Sequence, residues 1–297
     1  MSFALWFLFT STLFTPVTHC DRARISNWFV EKTIPQLNHE LTRLKSLPLE
    51  QRVEIWSKRF LSTPYGIDPA GEESGVDPDP LFNVCAVDCE TYVEQVLALA
   101  FSSNMPQLWR WLELMRYEKG IRSFENRFYT MALQWIPGNL RLGYLTSAHA
   151  RIGGKPVLMI KDIDPNFPWA RPFLRRFRQM GKRSPRGKAS LEYLPLKTLI
   201  ERYKRIPIPS VGLVVGARQI RNPFLITHMG FILKNNEGKL IWRHASGTAH
   251  RRKVEDRLLI AYLKETDSYF KKHRRRHVKG LIIYTISEPK PPETLVK

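Results

Sequence analysis

The sequence predicts an α+β fold in which N-terminal helices, one of them carrying a cysteine at its N-terminus, pack on an antiparallel sheet. Three observations predict it. Apolar residues recur at helical spacing as far as about residue 135. Past Pro209 the pattern changes to short β-branched and aromatic runs. Between two of those runs lies Asn235-Asn236-Glu237-Gly238, a hairpin turn. Helices first and strands after is the order of an α+β chain, not of a parallel βαβ sheet.

Residues 3–14 form an apolar run that is too short for a membrane span, which needs about 20 residues, and has the length of a signal-peptide core. Residues 1–20 are therefore expected to be a signal segment and the protein to be exported to the periplasm or cell envelope. His19 before Cys20 is a poor lipoprotein match. Trp28, Phe29, Ile34, Leu37, Leu41, Leu44, Val53, Trp56 and Phe60 then define a helical lobe over 21–62. Thr63-Pro64-Tyr65-Gly66, Asp68-Pro69 and Asp77-Pro78 mark a loop. A catalytic domain is expected over 63–290.

The helix after the loop should begin near Asp88. It places Val93, Val96, Leu97 and Ala100 on one face, with Cys89 one turn before Val93. Two more helical stretches are expected at 109–117 and 124–135. Eight basic residues and no acidic ones fall between Arg171 and Lys188, which reads as a solvated insertion near 165–190. Strands are expected at 211–215, 225–233, 240–244 and 280–286, with a helix near 254–263 between the last two.

Composition narrows the function. A 43% hydrophobic content excludes a disordered chain, and three cysteines without a Cys-x-x-Cys pair exclude a disulfide-stapled mini-protein and a zinc ribbon. The formal net charge of +20 points to acidic or polyanionic partners. The basic runs carry no recognised nucleic-acid motif, so no specific nucleic acid is expected.

Cys89 at a first helical turn lies where unpaired amides and the helix dipole favour the thiolate. A base can come from the hairpin. If it closes symmetrically about Asn236, paired residue numbers sum to 472 and His228 lies opposite His244, about 5 Å away on the same face, with Gly230 leaving room in front of His228. One imidazole would take the thiol proton and the other would orient it. Two alternatives use the same residues: a zinc site of Cys85, Cys89, His228 and His244, or a Cys85–Cys89 disulfide.

These residues sit in a recognisable frame. The stretch Phe60-Leu61-Ser62-Thr63-Pro64-Tyr65, the block Val87-Asp88-Cys89-Glu90-Thr91-Tyr92-Val93-Glu94, then Thr227-His228-Met229-Gly230-Phe231 and His244-Ala245-Ser246 resemble the N-acetylmuramoyl-L-alanine amidase-like family, over roughly residues 57–286. The family belongs to the NlpC-type, papain-like superfamily of cell-wall cysteine peptidases. The resemblance implies that fold, with Cys89 as nucleophile, His228 as general base and His244 as the orienting third member. It also implies Tyr65, Asp88 and Ser246 on the substrate side, with Asp88 matching a position that binds a stem-peptide amine. Peptidoglycan or its fragments would be the substrate, cleaved at an amide bond through a thioester, with no metal and no cofactor. An anionic envelope surface is a further partner expected from the charge. The competing reading is a basic, catalytically silent wall- or polyanion-binding protein of the same fold.

Overall fold

The computed structural model describes residues 27–163, 185–217, 225–248, 250–272 and 277–290. The expected signal segment (1–20) and most of the expected basic insertion lie outside these residues.

Two helices open the described chain, α1 (Ile34–Lys45) and α2 (Leu49–Arg59). Thr33 starts α1 with a capping box, its hydroxyl accepting from the Gln36 N–H while Gln36 reaches back. The central helix α3 (Cys89–Phe101) is buried at every residue from Thr91 onward. A helix apolar all round has to be wrapped on all sides. Here α1, α2 and α4 (Met105–Arg116) cover it on one side and the sheet covers it on the other.

The stretch expected to be helical at 124–135 is a 3-10 turn (Phe124–Asn126) followed by a π-turn (Met131–Trp135) that runs into α5 (Ile136–Arg141). There the Trp135 N–H bonds the Thr130 carbonyl, and the indole is turned onto α3.

Next come β1 (Leu145–Ser147), α6 (His149–Ile152), β2 (Val157–Ile163), β3 (Gly187–Pro195) and α7 (Leu196–Arg202). The chain ends with β4 (Ser210–Ala217), β5 (Ile226–Lys234), β6 (Leu240–Ser246), β7 (Lys253–Leu258), α8 (Leu259–Lys272) and β8 (His277–Ile286). The strands form one antiparallel sheet in the order β2-β3-β8-β4-β5-β6-β7, with β1 paired to β8.

Strands β1, β2, β3 and β7 go beyond the sequence expectation. The pair β2–β3 flanks the basic segment, so that segment links two hydrogen-bonded strands, and its expected end at 187–190 is already β3. The helix expected near 254–263 begins only at Leu259. The charged residues before it pair with β6 instead, Asp256 opposite Arg243 and Glu255 opposite His244. Cross-strand pairing outweighs the helix-compatible composition there.

The sheet separates two cores. Met229, Phe231 and Leu233 of β5, with Ile241 and Ala245 of β6, pack on the α3 side together with Leu37, Val53 and Trp56 of α1 and α2. Ile232 and Trp242 face the other way, onto Leu259 and Leu263 of α8. Arg243 ties the first core together. Its guanidinium forms a bidentate pair with Asp256 at 2.6 and 2.8 Å and donates to the Ser57 hydroxyl at 2.9 Å.

Candidate active site

The start of α3 is set by its cap. Asp88 Oδ1 accepts from the Glu90 N–H, the Thr91 N–H and the Thr91 hydroxyl at 2.8–3.1 Å, and Thr91 Oγ1 accepts the Asp88 N–H in return. The preceding loop fixes where this helix end lies. Tyr65 N–H bonds the Arg252 carbonyl, Ser62 N–H the Val254 carbonyl and Val87 N–H the Pro64 carbonyl. Residues 62–65 therefore stitch the residue before Asp88 to the beginning of β7. Gly247 completes the arrangement, since a Cβ there would lie 2.9 Å from the Tyr65 ring.

Cys89 is a free, partly buried thiol. Burial pushes its pKa up, as do the nearby Asp88 and Glu90 carboxyls, while the N–H groups of Met229 and of Cys89 itself face the sulfur and oppose the rise. Met229 is the neighbour of His228 on β5, so the thiol lies at the strand that carries the histidine. Tyr65 lies beside it as well. Burial first, then Cys89 and Asp88, raise the phenol pKa. Burial likewise raises the Asp88 carboxyl, with the Thr91 bonds opposing.

His228 and His244 meet. His228 Nε2 lies 2.7 Å from His244 Nδ1, with the rings nearly perpendicular at 82°. The pairing that brings them together differs from the symmetric closure. Observed pairs run from Phe231↔Arg243 to Lys234↔Leu240, so residue numbers sum to 474, not 472. The turn takes up Asn235 to Lys239, with the Asn235 N–H bonding the Lys239 carbonyl.

A shift of two residues preserves the face. It makes the histidines diagonal neighbours that reach each other tip to tip. Gly230 therefore makes room for His244, not for His228: a Cβ on Gly230 would come within 2.8 Å of the His244 Cβ. Beyond Phe231 the β5–β6 ladder stops, while β5 stays paired to β4 and β6 to β7. The histidines stand in that split.

Desolvation holds both imidazoles neutral, lowering His228 to about 4 and His244, with help from His228, Arg257 and Arg251, to about 2. If His228 donates its Nε2–H to His244 Nδ1, its own Nδ1 is left as a base and His244 carries its proton on Nε2. That Nε2 is buried without a hydrogen-bond partner among the described residues, 3.6 Å from Glu255 Oε1. Arg251 holds Glu255 at 2.9 Å.

Trp242 and Tyr262 wall the pair. Their rings stack at 5.2 Å, and Tyr262 lies 5.7 Å from His244 by ring centroid. Glu255 and Tyr262 were not anticipated. Their signals were the alternation of Val254 and Asp256 with Glu255 and Arg257, and Tyr262 between Leu259 and Leu263.

Ser246 lies on the His244 side of β6 but is 2% exposed, with its hydroxyl bonded to Thr248 at 3.1 Å. Glu94, one turn after Glu90, serves the core: it accepts from Arg116 at 2.8 Å and from the Trp135 indole at 3.0 Å. Cys85 is disulfide-bonded while Cys89 is free, which removes both the Cys85–Cys89 disulfide and the four-ligand zinc site. Among the described residues no group of three or more His, Cys, Asp or Glu side chains is placed to hold a metal ion.

The fold and sequence have known counterparts. A crystal structure of a Legionella pneumophila protein matches with a TM-score of 0.73 at 23% identity, covering 86% of this chain and 96% of the other. An N-acetylmuramoyl-L-alanine amidase from Bacteroides uniformis matches with a TM-score of 0.59 at 19% identity, covering 80% and 99%. A Bacteroides fragilis protein proposed to be a xylanase matches with a TM-score of 0.61 at 22% identity, covering 78% and 99%. At these identities the likeness shows the fold alone. No curated protein matches the chain. The family profile described as AmiA-like, N-acetylmuramoyl-L-alanine amidase-like, matches residues 55–269. With most of its length matched, the chain belongs to the AmiA-like, N-acetylmuramoyl-L-alanine amidase-like family.

Proposed function

We propose that the protein is an exported cysteine hydrolase of the NlpC-type, papain-like kind that cleaves an amide bond of peptidoglycan. The bond is either the one between muramic acid and L-alanine or one within the stem peptide. The observation that carries this reading is the 2.7 Å His228–His244 bond in the split of the sheet, on the strand whose Met229 amide faces the free thiol at a helix start. Membership in the amidase-like family supports the substrate class. The disulfide at Cys85 supports export, since such bonds persist in oxidising compartments.

The chemistry follows from the charge states. A thiol held protonated and an imidazole held neutral rest as an uncharged pair, so proton transfer accompanies attack. His228 Nδ1 takes the Cys89 proton as the sulfur bonds to the carbonyl carbon. The Cys89 N–H, which the Asp88 cap does not engage, receives the developing oxyanion. The C–N bond then breaks and His228 returns the proton to the departing amine. Water, deprotonated by His228, cleaves the thioester and restores the thiol. His244 holds the base in position, and Glu255 balances the positive charge when His228 is protonated. Tyr65 and Asp88 flank the substrate side, and Ser246 supports the strand end.

The test is mass spectrometry of purified peptidoglycan digested by the wild type and by Cys89→Ala under reducing conditions. Intact stem peptides from the wild type alone are the expected result. Shortened stems would identify an endopeptidase. Equal products from both proteins, or none from either, would remove the cysteine hydrolase and leave a wall-binding protein.

A further inference from the structure

We propose a second site, at the turn end of β5 and β6, that binds the phosphate headgroup of an anionic lipid and docks the protein on a membrane surface. A cavity of about 1030 Å³ opens there. Lys234 at this end lies six positions along β5 from His228, about 20 Å along the strand. The site is therefore distinct from the thiol.

Five cations line it, and they come from separate elements. Arg151 belongs to α6, Lys204 and Arg205 to the 3-10 turn after α7, Lys234 to the end of β5 and Lys239 to the turn. Among the described residues no carboxylate lines the cavity. Lys239 has a partner in Glu237 at 2.7 Å, but both side chains are exposed, where such a pair is weak. The other four pair with no carboxylate among the described residues. Cations gathered around one concavity repel one another, and an anion inside relieves that repulsion.

The lining decides what kind of anion. Ile206, Leu240 and Leu258 give it an apolar part, and Leu258 has 44% of its surface exposed. Soluble phosphate gains nothing from such a surface, whereas a headgroup carrying acyl chains gains from both parts. Among the described residues no helix is long and apolar enough to cross a membrane.

The experiment is co-sedimentation of the purified protein with phosphatidylcholine vesicles, with and without one fifth phosphatidylglycerol. The wild type should bind only the anionic vesicles. Each cation contributes roughly fivefold, so Lys204→Glu with Arg205→Glu should weaken binding by about thirtyfold or more. Leu258→Asn should weaken it several-fold. A control pair on the opposite layer, Lys58→Glu with Lys119→Glu, should stay within a few-fold of wild type.

Cys89→Ala should bind like wild type, which keeps this proposal independent of the catalytic reading. Equal losses in both charge-reversed pairs would assign binding to diffuse charge and overturn the site. So would absence of vesicle binding, binding of inorganic pyrophosphate alone, or displacement of vesicles by equimolar single-stranded DNA.

Discussion

Two buried ionisable groups of residues lie on either side of the same sheet, and they are finished differently. In the first, Glu94 is 1% exposed and both carboxylate oxygens are taken, one by Arg116 and one by the Trp135 indole. In the second, His244 is 4% exposed and its Nε2 has no hydrogen-bond partner among the described residues, with Glu255 at 3.6 Å, beyond bonding distance. That carboxylate holds three elements together. The histidine pair keeps one nitrogen open at each end. The difference separates a group that stabilises from a group that can react.

Substitutions can break that comparison, and the largest effect belongs to the reactive side. Cys89→Ala and His228→Ala should each lower amide hydrolysis by a factor on the order of 10⁴–10⁶, with thermal midpoints near that of the wild type. Melting curves alongside turnover check this, and a large drop in midpoint would make these residues structural.

Next is Glu94→Ala, which leaves Arg116 buried and unpaired and should cost about 3–5 kcal/mol of stability in urea denaturation. A loss below about 1 kcal/mol would show that the two groups differ less than their geometry says.

Smaller is Glu255→Gln, expected to lower kcat about ten- to a hundredfold with little change in KM, a magnitude like that of other outer partners of a functional histidine. Unchanged kcat would remove Glu255 from the relay.

Last is a pH effect. Both imidazoles titrate near 6.5 when unfolded but lie at about 4 and about 2 in the folded chain, so below 6.5 the unfolded state binds more protons. Stability should therefore fall as pH drops from 6.5 toward 4, by at most about 1.4 kcal/mol per pH unit for each histidine. Asp88 and Glu90, whose pKa values are raised, act with the opposite sign. Comparing wild type with His244→Gln isolates the imidazole contribution. The variant should lose less stability over that window, and parallel curves would show that His244 titrates normally.

How much of this was legible in the sequence follows from which interactions are local. The start of α3 was readable because Asp88, Thr91 and the apolar face behind them lie within four turns of one helix. That two histidines share a face was readable because β-strand periodicity survives an error of two residues. Their true pairing was not, because it depends on how many residues the turn absorbs, and Asn235 closes a longer loop through its bond with Lys239.

Glu255 and Tyr262 were hidden for a different reason. Residues 253–258 have a charge-rich composition that suits an exposed helix, and only the edge of β6 makes them a strand. Strands β2 and β3 flank the basic run, whose charge masked their alternation.

The early end of the β5–β6 ladder has a consequence for how this fold can vary. One more pair past Phe231 and Arg243 would extend the sheet, but it would engage the stretch of β5 whose Met229 amide faces the sulfur. A longer hairpin and the approach of the Met229 amide to the Cys89 sulfur thus compete for the same piece of main chain. Descendants of this sequence that zip the hairpin shut would gain a sturdier sheet and keep Cys89 only as a small buried hydrophobe.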